Sequence, residues 1–469
     1  MQQMLKDTLD KLSRKSKHSL ERATNQNVKL AVTGFQGAGK SVFIASLIHQ
    51  LLHVNRYNNL PFFKLAEEDR LIAAQLEVVP DLTIPEFPYQ ASVNALMEGD
   101  WPESTRSVSA LRLSLRYKTE NSLISKIVEK PTITIDVYDY PGEWLVDLIM
   151  LNQSYEEWSE YVGKLTKNEE LYESSADWKS CFVELNDSSI DIDEWIKRTA
   201  EQYRGYLKDK AAQGAICMPG RFVLPGELEG APVLDFFPIP EGALEQSKVD
   251  TETIKERLKE KYDFYLKQVI TPFFENYFSQ FDRQIILVDC LSLLNKSKQR
   301  AQEIESALSH LLKAFHYGHS NWIKRLFKPQ IDKLIFAATK SDQVPSNQQY
   351  RLQSFLQSLV YASESKVRFE GVESHLLTLS SIRAAEAVVA EINGENVHCV
   401  KGTLKENNEE VIVYPGEVPE SIDSLFSREH EPYELPAYSP NVLNTSAHSE
   451  LPHIRMGKVL ELVLGDKLL

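Results

Sequence analysis

The sequence is poor in cysteine, lacks long apolar runs and has a deficit of basic residues. Its four cysteines (Cys181, Cys217, Cys290 and Cys399) are scattered over 469 residues. There is no Cys-x-x-Cys pair or Cys/His cluster, which argues against a zinc site or disulfide framework and for a reducing compartment. Apolar runs such as Ile285–Val288 are far shorter than the roughly 20 residues of a membrane span, and the N-terminus has no apolar core of signal-peptide length. These absences predict a cytoplasmic protein, with peripheral attachment to the inner membrane face as the alternative.

The charge balance also narrows the choice of partners. Acidic residues outnumber basic ones by 67 to 52, which gives a formal net charge of −15. Such a surface repels nucleic-acid phosphates and anionic lipids, so neither is expected as a bulk partner. Residues 1–26 differ, with six basic and three acidic residues and leucines at helical spacing. They predict an N-terminal helix that docks on its own domain, or alternatively contacts a membrane or partner.

A glycine-rich segment provides the strongest motif. Residues 34–41, GFQGAGKS, fit the phosphate-loop pattern G-x-x-x-x-G-K-[ST], with an apolar strand-like run before them and an amphipathic helical pattern after them. Glycine N–H groups and a helix N-terminus bind phosphate, while Lys40 can reach the β- and γ-phosphates and the Ser41 hydroxyl is a natural Mg²⁺ ligand. The motif predicts a nucleoside triphosphate site built from Gly34, Gln36, Gly37, Ala38, Gly39, Lys40, Ser41 and Val42.

A second motif, Asp139-Tyr140-Pro141-Gly142, follows a predicted strand. The D-x-x-G spacing places Asp139 near Mg²⁺ and directs the Gly142 N–H to the γ-phosphate. Asp136 competes for the metal role, but it lies within the predicted strand and not at its end. Four common residues also form a good turn, so the position after an apolar strand carries the prediction.

The third motif, Thr339-Lys340-Ser341-Asp342, follows another predicted strand and matches the [NT]-K-x-D pattern of guanine-specific GTPases. A carboxylate at Asp342 accepts hydrogen bonds from guanine N1 and N2, a donor pair that adenine lacks, and the Lys340 stem stacks on the base. The alternative is an ordinary polar turn. Ser380, Ser381 and Ile382 follow the last predicted strand, where a backbone N–H would bind guanine O6.

Residues before the second predicted strand are candidates for contacts with the γ-phosphate. Thr105 is positioned as the threonine that joins Ser41 on Mg²⁺ when a γ-phosphate is present, with Ser104 as its rival. Arg106 is a candidate built-in arginine finger, although a surface salt bridge is the commoner role for such a residue. The predicted ligands are therefore GTP or GDP with Mg²⁺, and the predicted metal ligands are Ser41, Thr105 and Asp139.

Strand-like runs interleaved with helical segments predict an α/β fold of the P-loop GTPase type with a mainly parallel sheet. The strands are predicted at 29–33, 110–117, 132–138, 284–289, 333–338 and 376–379. The predicted units are an N-terminal helix (1–26), a nucleotide-binding domain in two halves (27–150 and 281–384), a mainly helical insertion (151–280), and a C-terminal part with short β segments and a final helix (385–469). Residues 53–104 are predicted as a smaller insertion, and Met218–Gly226 as a turn-rich loop that is not helical.

Longer segments carry a resemblance to a known family. The ordered motifs resemble those of translation-factor-class GTPases, and the chain more closely resembles the bacterial YcjX family of stress-associated P-loop proteins over nearly its whole length. The closer resemblance rests on Asp139–Leu145, Pro219–Gly226, Phe281–Ile285, Phe336–Lys340, Val413–Pro419 and Leu451–Arg455. It implies GTP binding and hydrolysis in the cytoplasm and a membrane-associated partner in envelope stress. The family's loop usually carries Ser-Arg where this chain has Gln36-Gly37, so any role of that arginine does not transfer.

The sequence does not identify the catalytic group. Ras-type switches have glutamine after D-x-x-G, whereas this chain has Glu143, whose carboxylate would repel the γ-phosphate unless it is turned away or protonated. Intrinsic hydrolysis is therefore expected to be slow. Gln36 resembles the water-orienting glutamine of dynamin-like GTPases, which act as paired nucleotide domains, or it only caps the turn; dimerisation is left open with it. The alternative functions are a nucleotide-gated interaction protein and, disfavoured by Asp342, an ATPase or kinase.

Overall fold

The computed structural model describes most of the chain. The described residues are 26–35, 37–57, 59–120, 131–165, 176–277, 280–296, 305, 331–369, 372–426, 433–440 and 450–468. The predicted N-terminal helix and Gln36 lie outside the described residues, apart from Gln26.

A seven-stranded sheet forms the centre of the fold. Its strands are β1 (Gln26–Thr33), β2 (Leu71–Glu77), β3 (Ser109–Tyr117), β4 (Thr132–Asp139), β5 (Arg283–Val288), β6 (Lys333–Ala338) and β7 (Glu373–Thr378). They lie in the order β2-β3-β4-β1-β5-β6-β7. The run from β4 to β7 is parallel, and β3 and β2 continue it antiparallel at one edge. The predicted α/β class with a mainly parallel sheet is therefore confirmed.

The sequence of the central strands explains why both sheet faces are covered. All six residues of β5 are buried, as expected for a strand of a parallel sheet whose two faces both pack on helices. Alternate residues enter two separate apolar cores: Ile285 packs in one of them, with the first helix after the phosphate loop, and Ile286 packs in the other, with the insertion. The insertion and the first helix after the phosphate loop therefore pack on opposite faces of the same strands.

Helices fill the connections. The α-helices are α1 (Lys40–Leu52), α2 (Val54–Tyr57), α3 (Lys64–Glu67), α4 (Tyr89–Met97), α5 (Tyr155–Leu165), α6 (Ala176–Ser180), α7 (Ile192–Ala212), α8 (Gly220–Val223), α9 (Thr251–Tyr265), α10 (Thr271–Asn276), α11 (Gln349–Phe369), α12 (Ile422–Phe426) and α13 (Met456–Leu464). The 3₁₀ segments are Gly142–Asn152, Cys181–Asn186, Gly226–Leu228, Pro232–Leu234, Leu291–Leu293, Ser341–Gln343, Ser346–Gln348 and Gly465–Lys467, and a π-helical turn, Leu266–Ile270, joins α9 to α10. None of the described helices is long and apolar enough to cross a membrane.

The described part of the chain between β4 and β5 is mainly helical and has an aromatic core. Trp158, Trp178, Trp195 and Tyr262 are completely or almost completely buried there, and aromatic side chains of this size provide most of the apolar area that holds such a unit together. This core is continuous with the sheet core on the same face. The insertion is therefore packed on the nucleotide-binding domain and does not hang from a linker.

Two local predictions were wrong. The Pro/Gly-rich stretch Met218–Gly226 is not loop throughout, because Gly220–Val223 form one helical turn whose first N–H groups are bound by Asp147. Residues 53–104 are not only an insertion, because Leu71–Glu77 pair with β3 and extend the main sheet. Most side chains of this edge strand are exposed, so its sequence lacks the apolar alternation by which strands are recognised.

The C-terminal part forms a second, three-stranded antiparallel sheet and a final helix. The strands are β8 (Ala385–Ile392), β9 (Glu395–Thr403) and β10 (Glu410–Val413), in the order β10-β9-β8. Helix α13 returns to the main sheet and packs in the same core as α1. Just before it, Ile454 and Ser380 exchange two backbone hydrogen bonds. The chain after β7 is thereby tied back to the nucleotide-binding domain.

Candidate functional site

The phosphate loop joins β1 to α1 through backbone conformations that require glycine. Gly37 and Gly39 have φ angles of 82° and 84°, in the left-handed region that other residues rarely adopt. A side chain at Gly34 would place its Cβ 2.5 Å from the Leu287 carbonyl oxygen. The loop therefore approaches β5 closely, and α1 begins directly after it at Lys40.

Among the described residues, no acidic side chain caps the helix after this loop or forms a salt bridge with Lys40. No side chain caps the N-terminus of α1 and its first turn contains no acidic residue, so the helix dipole and its N–H groups are available to an anion. Lys40 is buried, and its Nζ donates to the Gly34 carbonyl oxygen at 2.7 Å. The ammonium group thus folds back over the loop and lies where phosphate oxygens would bind.

Three oxygen-bearing side chains meet beside Lys40. Thr105 Oγ1 donates to Asp139 Oδ2 at 2.6 Å, and Ser41 Oγ lies 3.2 Å from Thr105 Oγ1. Asp139 is the last residue of β4 and is buried, and its Oδ1 atom has no hydrogen-bond partner among the described residues. Burial raises the pKa of the Asp139 carboxyl to about 6, although the charge of Lys40 and the bond from Thr105 oppose this rise.

This set of oxygens fits Mg²⁺. Magnesium prefers a few hard oxygen ligands from the protein and takes the rest from water and phosphate. A buried carboxylate oxygen without a partner is otherwise costly, and a cation at this point would offset that cost. The three predicted ligands Ser41, Thr105 and Asp139 are brought together, although they come from three separate segments of the chain.

Asp136, the rival for the metal role, has a different partner. Its carboxylate accepts from Arg112 Nε at 2.5 Å and Nη2 at 2.7 Å, and from the Asn27 side-chain amide at 3.1 Å. Arg112 is its neighbour on β3. This bidentate ion pair accounts for a charged residue in the middle of a strand, and Asp136 therefore does not belong to the phosphate side of the site.

Gly142 lies directly against the phosphate loop. A Cβ on Gly142 would clash with the Gly34 carbonyl oxygen, so the two backbones can approach this closely only because residue 142 is glycine. Glu143 follows at the start of the 3₁₀ segment Gly142–Asn152 and is half-buried on the cavity wall. The D-x-x-G segment therefore runs directly beside the phosphate loop at the cavity wall.

On the base side, Asp342 is already hydrogen-bonded within the protein. Its Oδ1 atom lies 2.7 Å from Ser380 Oγ, and its Oδ2 atom accepts from the N–H groups of Ala384 at 2.8 Å and Ala385 at 3.1 Å. Burial raises the pKa of Asp342, and these hydrogen bonds lower it. The carboxylate is held rigidly, and Oδ1 retains a lone pair that can accept from a base.

The remaining base-side residues lie around Asp342. Lys340 has a left-handed backbone (φ 59°), and its Nζ donates to Asp289 Oδ2 at 2.6 Å. Thr339 is buried, and its N–H donates to the Val288 carbonyl oxygen at 3.0 Å. The Ser380 N–H donates to Ile454 at 3.2 Å, so in this conformation it does not serve guanine O6. Of the three predicted residues, Ser381 and Ile382 remain as candidates for that contact.

One cavity of about 1620 Å³ joins the two sides. Among the predicted residues, those on its wall are Gly37, Ala38, Gly39, Lys40, Ser41, Val42, Thr105, Arg106, Glu143, Thr339, Lys340, Asp342, Ser380, Ser381 and Ile382. Gly34, Asp139 and Gly142 are not on the wall and lie behind or beside it. The cavity is larger than the upper range of about 1000 Å³ for small-molecule sites, so a nucleotide would leave part of it free.

The sequence did not single out several residues of this wall. Asp289 directly follows β5, a position at which a polar residue could have been suspected. Trp144 follows the D-x-x-G motif by two residues, Arg221 comes from the insertion, and Lys405 and Tyr438 come from the C-terminal part. The last three reach the cavity only through contacts between distant parts of the chain, so a local motif could not reveal them.

Arg106 and its neighbour Ser104 lie on the cavity wall with exposed side chains. A segment of the C-terminal part holds this stretch from outside: the indole N–H of Trp101 donates to the Tyr438 carbonyl oxygen at 2.9 Å, and Lys405 pairs with Asp100 at 3.3 Å. The stretch that carries Thr105 is therefore tied to the C-terminal part as well as to the metal ligands.

Comparison with known proteins gives consistent matches. The model of the "YcjX-like family, DUF463" matches residues 28–468. The chain is 36% identical to "Ras-like GTPase YcjX" of Escherichia coli (strain K12) over 457 residues, covering 96% of this chain and 97% of that protein. It is also 36% identical to the protein of the same name from Shewanella oneidensis over 490 aligned residues, covering 99% of each chain.

Proposed function

This chain belongs to the YcjX-like family, and we propose that it binds GTP and GDP with Mg²⁺ and hydrolyses GTP slowly. The observation that carries this proposal is that Lys40, Ser41 and Thr105 line the same cavity as Asp342. The relatives named Ras-like GTPase support the choice of guanine nucleotides. The family motifs thus describe one continuous site and not isolated turns.

The choice of guanine depends on Asp342. A buried acceptor-only side chain at this point suits the N1 and N2 donors of guanine and opposes the N1 acceptor of adenine. Ser380 and the two backbone N–H groups fix its orientation, which lowers the entropic cost of aligning it on the base. In the ATPase alternative, the Asp342 carboxylate would face the N1 acceptor of adenine and would have no such donor pair to bind.

The residues of the phosphate side bind and orient the reacting group. The α1 N-terminus and Lys40 would hold the β- and γ-phosphates, and Gly142 would offer its N–H to the γ-phosphate. Ser41, Thr105 and Asp139 would hold Mg²⁺, which when bound neutralises charge on the phosphate oxygens. Glu143 replaces the water-orienting glutamine of Ras-type switches and would repel the γ-phosphate if ionised, which is the reason for expecting slow turnover.

A second function is favoured by the attachment of the insertion. Residues Gly142–Asn152 carry the γ-phosphate glycine at one end and pack on the insertion along their length, since Asp147 binds the N–H groups of Gly220 and Arg221. A change at the γ-phosphate would therefore reach the insertion. In this alternative the chain is a nucleotide-gated interaction protein, and turnover only resets its state.

The physiological part of the proposal rests on the family resemblance alone. It comprises a cytoplasmic location, or a peripheral one at the inner membrane face, a role in the response to envelope stress, and a membrane-associated protein as partner. Nucleic acid is not proposed as a partner, because the net charge of −15 opposes it.

The test is equilibrium binding of GTP, GDP and ATP, with and without Mg²⁺. We expect the wild type to prefer both guanine nucleotides over ATP and to bind GTP more tightly with Mg²⁺. Asp342→Asn should weaken GTP and GDP binding by about 1–3 kcal/mol, the cost of a mispaired buried group, and leave ATP binding little changed. Lys40→Ala is the control, because it should weaken all three nucleotides together. ATP bound as tightly as GTP by the wild type would contradict the guanine assignment.

A further inference from the structure

Arg221 is a buried arginine on the cavity wall that the proposed hydrolysis does not yet use. It is the second residue of α8 and lines the same cavity as Lys40, Ser41 and Thr105. Its side chain is only 7% exposed, and its guanidinium lies 3.2 Å from the centre of the Trp144 ring. An arginine so deeply buried usually has an ionic partner that offsets its desolvation.

The carboxylate that is paired with the Arg221 guanidinium offsets its charge only weakly, and the buried Asp147 carboxylate adds an electrostatic attraction without a hydrogen bond to the guanidinium. Arg221 Nη1 lies 2.9 Å from Glu227 Oε1, and the Glu227 side chain is 63% exposed. An ion pair with a solvated carboxylate contributes little, because water screens it and competes for both groups. The second contact, to the Pro225 carbonyl oxygen, is long at 3.5 Å. The guanidinium therefore has hydrogen-bond capacity left for an anion in the cavity.

A series of close backbone contacts connects Arg221 with the phosphate loop. Gly142 packs on Gly34 so closely that a Cβ would clash with the Gly34 carbonyl oxygen, and Gly220 packs in the same way on the carbonyl oxygen of Glu143. The residue after Gly220 is Arg221, and the residue after Glu143 is Trp144, on which the guanidinium stacks. The α8 turn is thus the next layer after the D-x-x-G segment, on the side of the γ-phosphate.

The backbone of Arg221 is fixed while its side-chain contacts are exchangeable. Asp147 accepts from Gly220 N at 2.6 Å and from Arg221 N at 3.2 Å, and Tyr265 donates to the same carboxylate at 2.7 Å. These bonds are buried and hold the backbone of the turn, while the charge of the guanidinium also attracts the Asp147 carboxylate. The side chain can therefore leave Glu227 for a phosphate oxygen without disturbing the turn that carries it.

We propose that Arg221 donates hydrogen bonds to the γ-phosphate of bound GTP and stabilises the charge that develops during hydrolysis. This role rests on the proposed GTP hydrolysis. In that step the oxygen of water forms a bond to the γ-phosphorus, and the bond from phosphorus to the β–γ bridging oxygen breaks. Its electron pair stays on GDP, and the water proton passes to a phosphate oxygen. Arg221 takes no part in the proton transfer and acts through its charge and its hydrogen bonds.

Arg221 suits this role better than Arg106. Arg106 is exposed, so solvent would screen its charge, whereas the buried guanidinium of Arg221 acts in a medium of low dielectric constant. The arginine would thus be supplied by the insertion of the same chain. This gives the insertion a direct part in turnover, because a partner that moves α8 would change the rate.

The test measures single-turnover GTP hydrolysis and GDP affinity for the wild type, Arg221→Ala and Arg221→Lys. Loss of such an arginine typically lowers the rate by about 10³–10⁵-fold, and we expect a fall in this range for Arg221→Ala with GDP affinity nearly unchanged. Arg221→Lys keeps a positive charge but not the planar fork, and it should also lower the rate by at least about tenfold. Should Arg221→Ala fail to fold, Arg221→Lys decides the question.

A second readout separates a catalytic from a structural role. GDP with aluminium fluoride mimics the transferring phosphoryl group, and the wild type should bind it more tightly than GDP alone, whereas Arg221→Ala should not. The control is Arg204→Ala, which removes an insertion arginine paired with Asp235 at 3.1 Å and should hydrolyse GTP at close to the wild-type rate.

Three outcomes would overturn the role of Arg221. These are a wild-type rate in Arg221→Ala, an equal loss in Arg204→Ala, and a loss in Arg106→Ala without one in Arg221→Ala. A wild type that binds no guanine nucleotide would instead overturn the proposed function, and with it this role. That result is read before any variant is compared.

Discussion

At the scale of single residues, Asp147 shows how one buried carboxylate joins two segments. It lies in the 3₁₀ segment after Gly142 and binds the α8 backbone and the Tyr265 hydroxyl. Burial raises the pKa of Asp147 to about 6, although these hydrogen bonds oppose the rise. Ionisation of this buried carboxyl therefore destabilises the folded state, whereas its hydrogen bonds stabilise the contact between the Gly142–Asn152 segment and α8.

This placement predicts a pH dependence of stability. An acid whose pKa is higher in the folded than in the unfolded chain binds more protons when folded at pH values between the two. The free energy of unfolding should therefore fall as the pH rises from about 4 to about 6, by about 2–3 kcal/mol for this one group. Asp147→Asn should lack this component, so the stability difference between wild type and variant should shrink over the same range. Chemical unfolding at several pH values measures it, and a constant difference would contradict the prediction.

Residues also differ in how far the sequence could identify them. Lys40, Ser41 and Asp342 lie in short motifs directly after strands, so local spacing was enough to select them as candidates. Arg221 could not be selected in that way, because its place at the cavity depends on Asp147, which is 74 positions earlier in the chain. The sequence also could not show which lone pairs of Asp342 are free for a base, because the N–H groups of Ala384 and Ala385, 42 and 43 positions later at the start of β8, bind its Oδ2 atom.

At the scale of elements, the segment Gly142–Asn152 connects the phosphate loop to the insertion. Gly142 packs on Gly34, and Trp144 donates its indole N–H to the Leu224 carbonyl oxygen at 2.8 Å. On the other side, Trp101 ties the segment that carries Thr105 to the C-terminal part. Both segments that would contact a γ-phosphate are therefore attached to elements outside the sheet.

We therefore expect hydrogen exchange outside the sheet to differ between the GDP form and a form with a non-hydrolysable GTP analogue. The GTP analogue should protect amides in Gly142–Asn152 and α8, because a γ-phosphate contact would restrain Gly142 and the layer packed on it. Smaller changes are expected near Tyr438. Lys40→Ala with the same ligands is the control and should show none of these changes. Differences confined to residues 37–42 would mean that the insertion is passive.

The elements also show where sequence patterns are weak. Strands β1, β5 and β6 were predictable, because strands buried on both faces consist of continuous apolar runs. Strand β2 was not, since an edge strand with exposed side chains has little pattern to recognise. The helical turn α8 was missed for a different reason: glycine and proline favour a loop locally, and the Asp147 bonds that stabilise the turn come from a distant segment.

At the scale of the whole molecule, three parts of one chain surround one cavity. The sheet supplies the phosphate and base loops, the insertion supplies Arg221, and the C-terminal part contributes Lys405 and Tyr438. Each part packs on the sheet through its own core or hydrogen bonds. With the proposed role of Arg221, one molecule would contain a charged group that GTPases often receive from an activating partner.

An arginine supplied by the same chain predicts that hydrolysis does not require dimerisation. If Arg221 acts within its own chain, turnover per molecule should not depend on protein concentration, and steady-state GTP hydrolysis measured over about a hundredfold range of concentration should give one rate constant. The opposite result belongs to the alternative raised by Gln36, which lies outside the described residues. In dynamin-like pairing the rate per molecule rises with concentration, and Gln36→Ala lowers it by about a hundredfold, the scale of one positioned catalytic group. A rising rate together with that defect would place the decisive group in the phosphate loop of a dimer, whereas a constant rate that is lost on Arg221→Ala would place it in the insertion of the monomer.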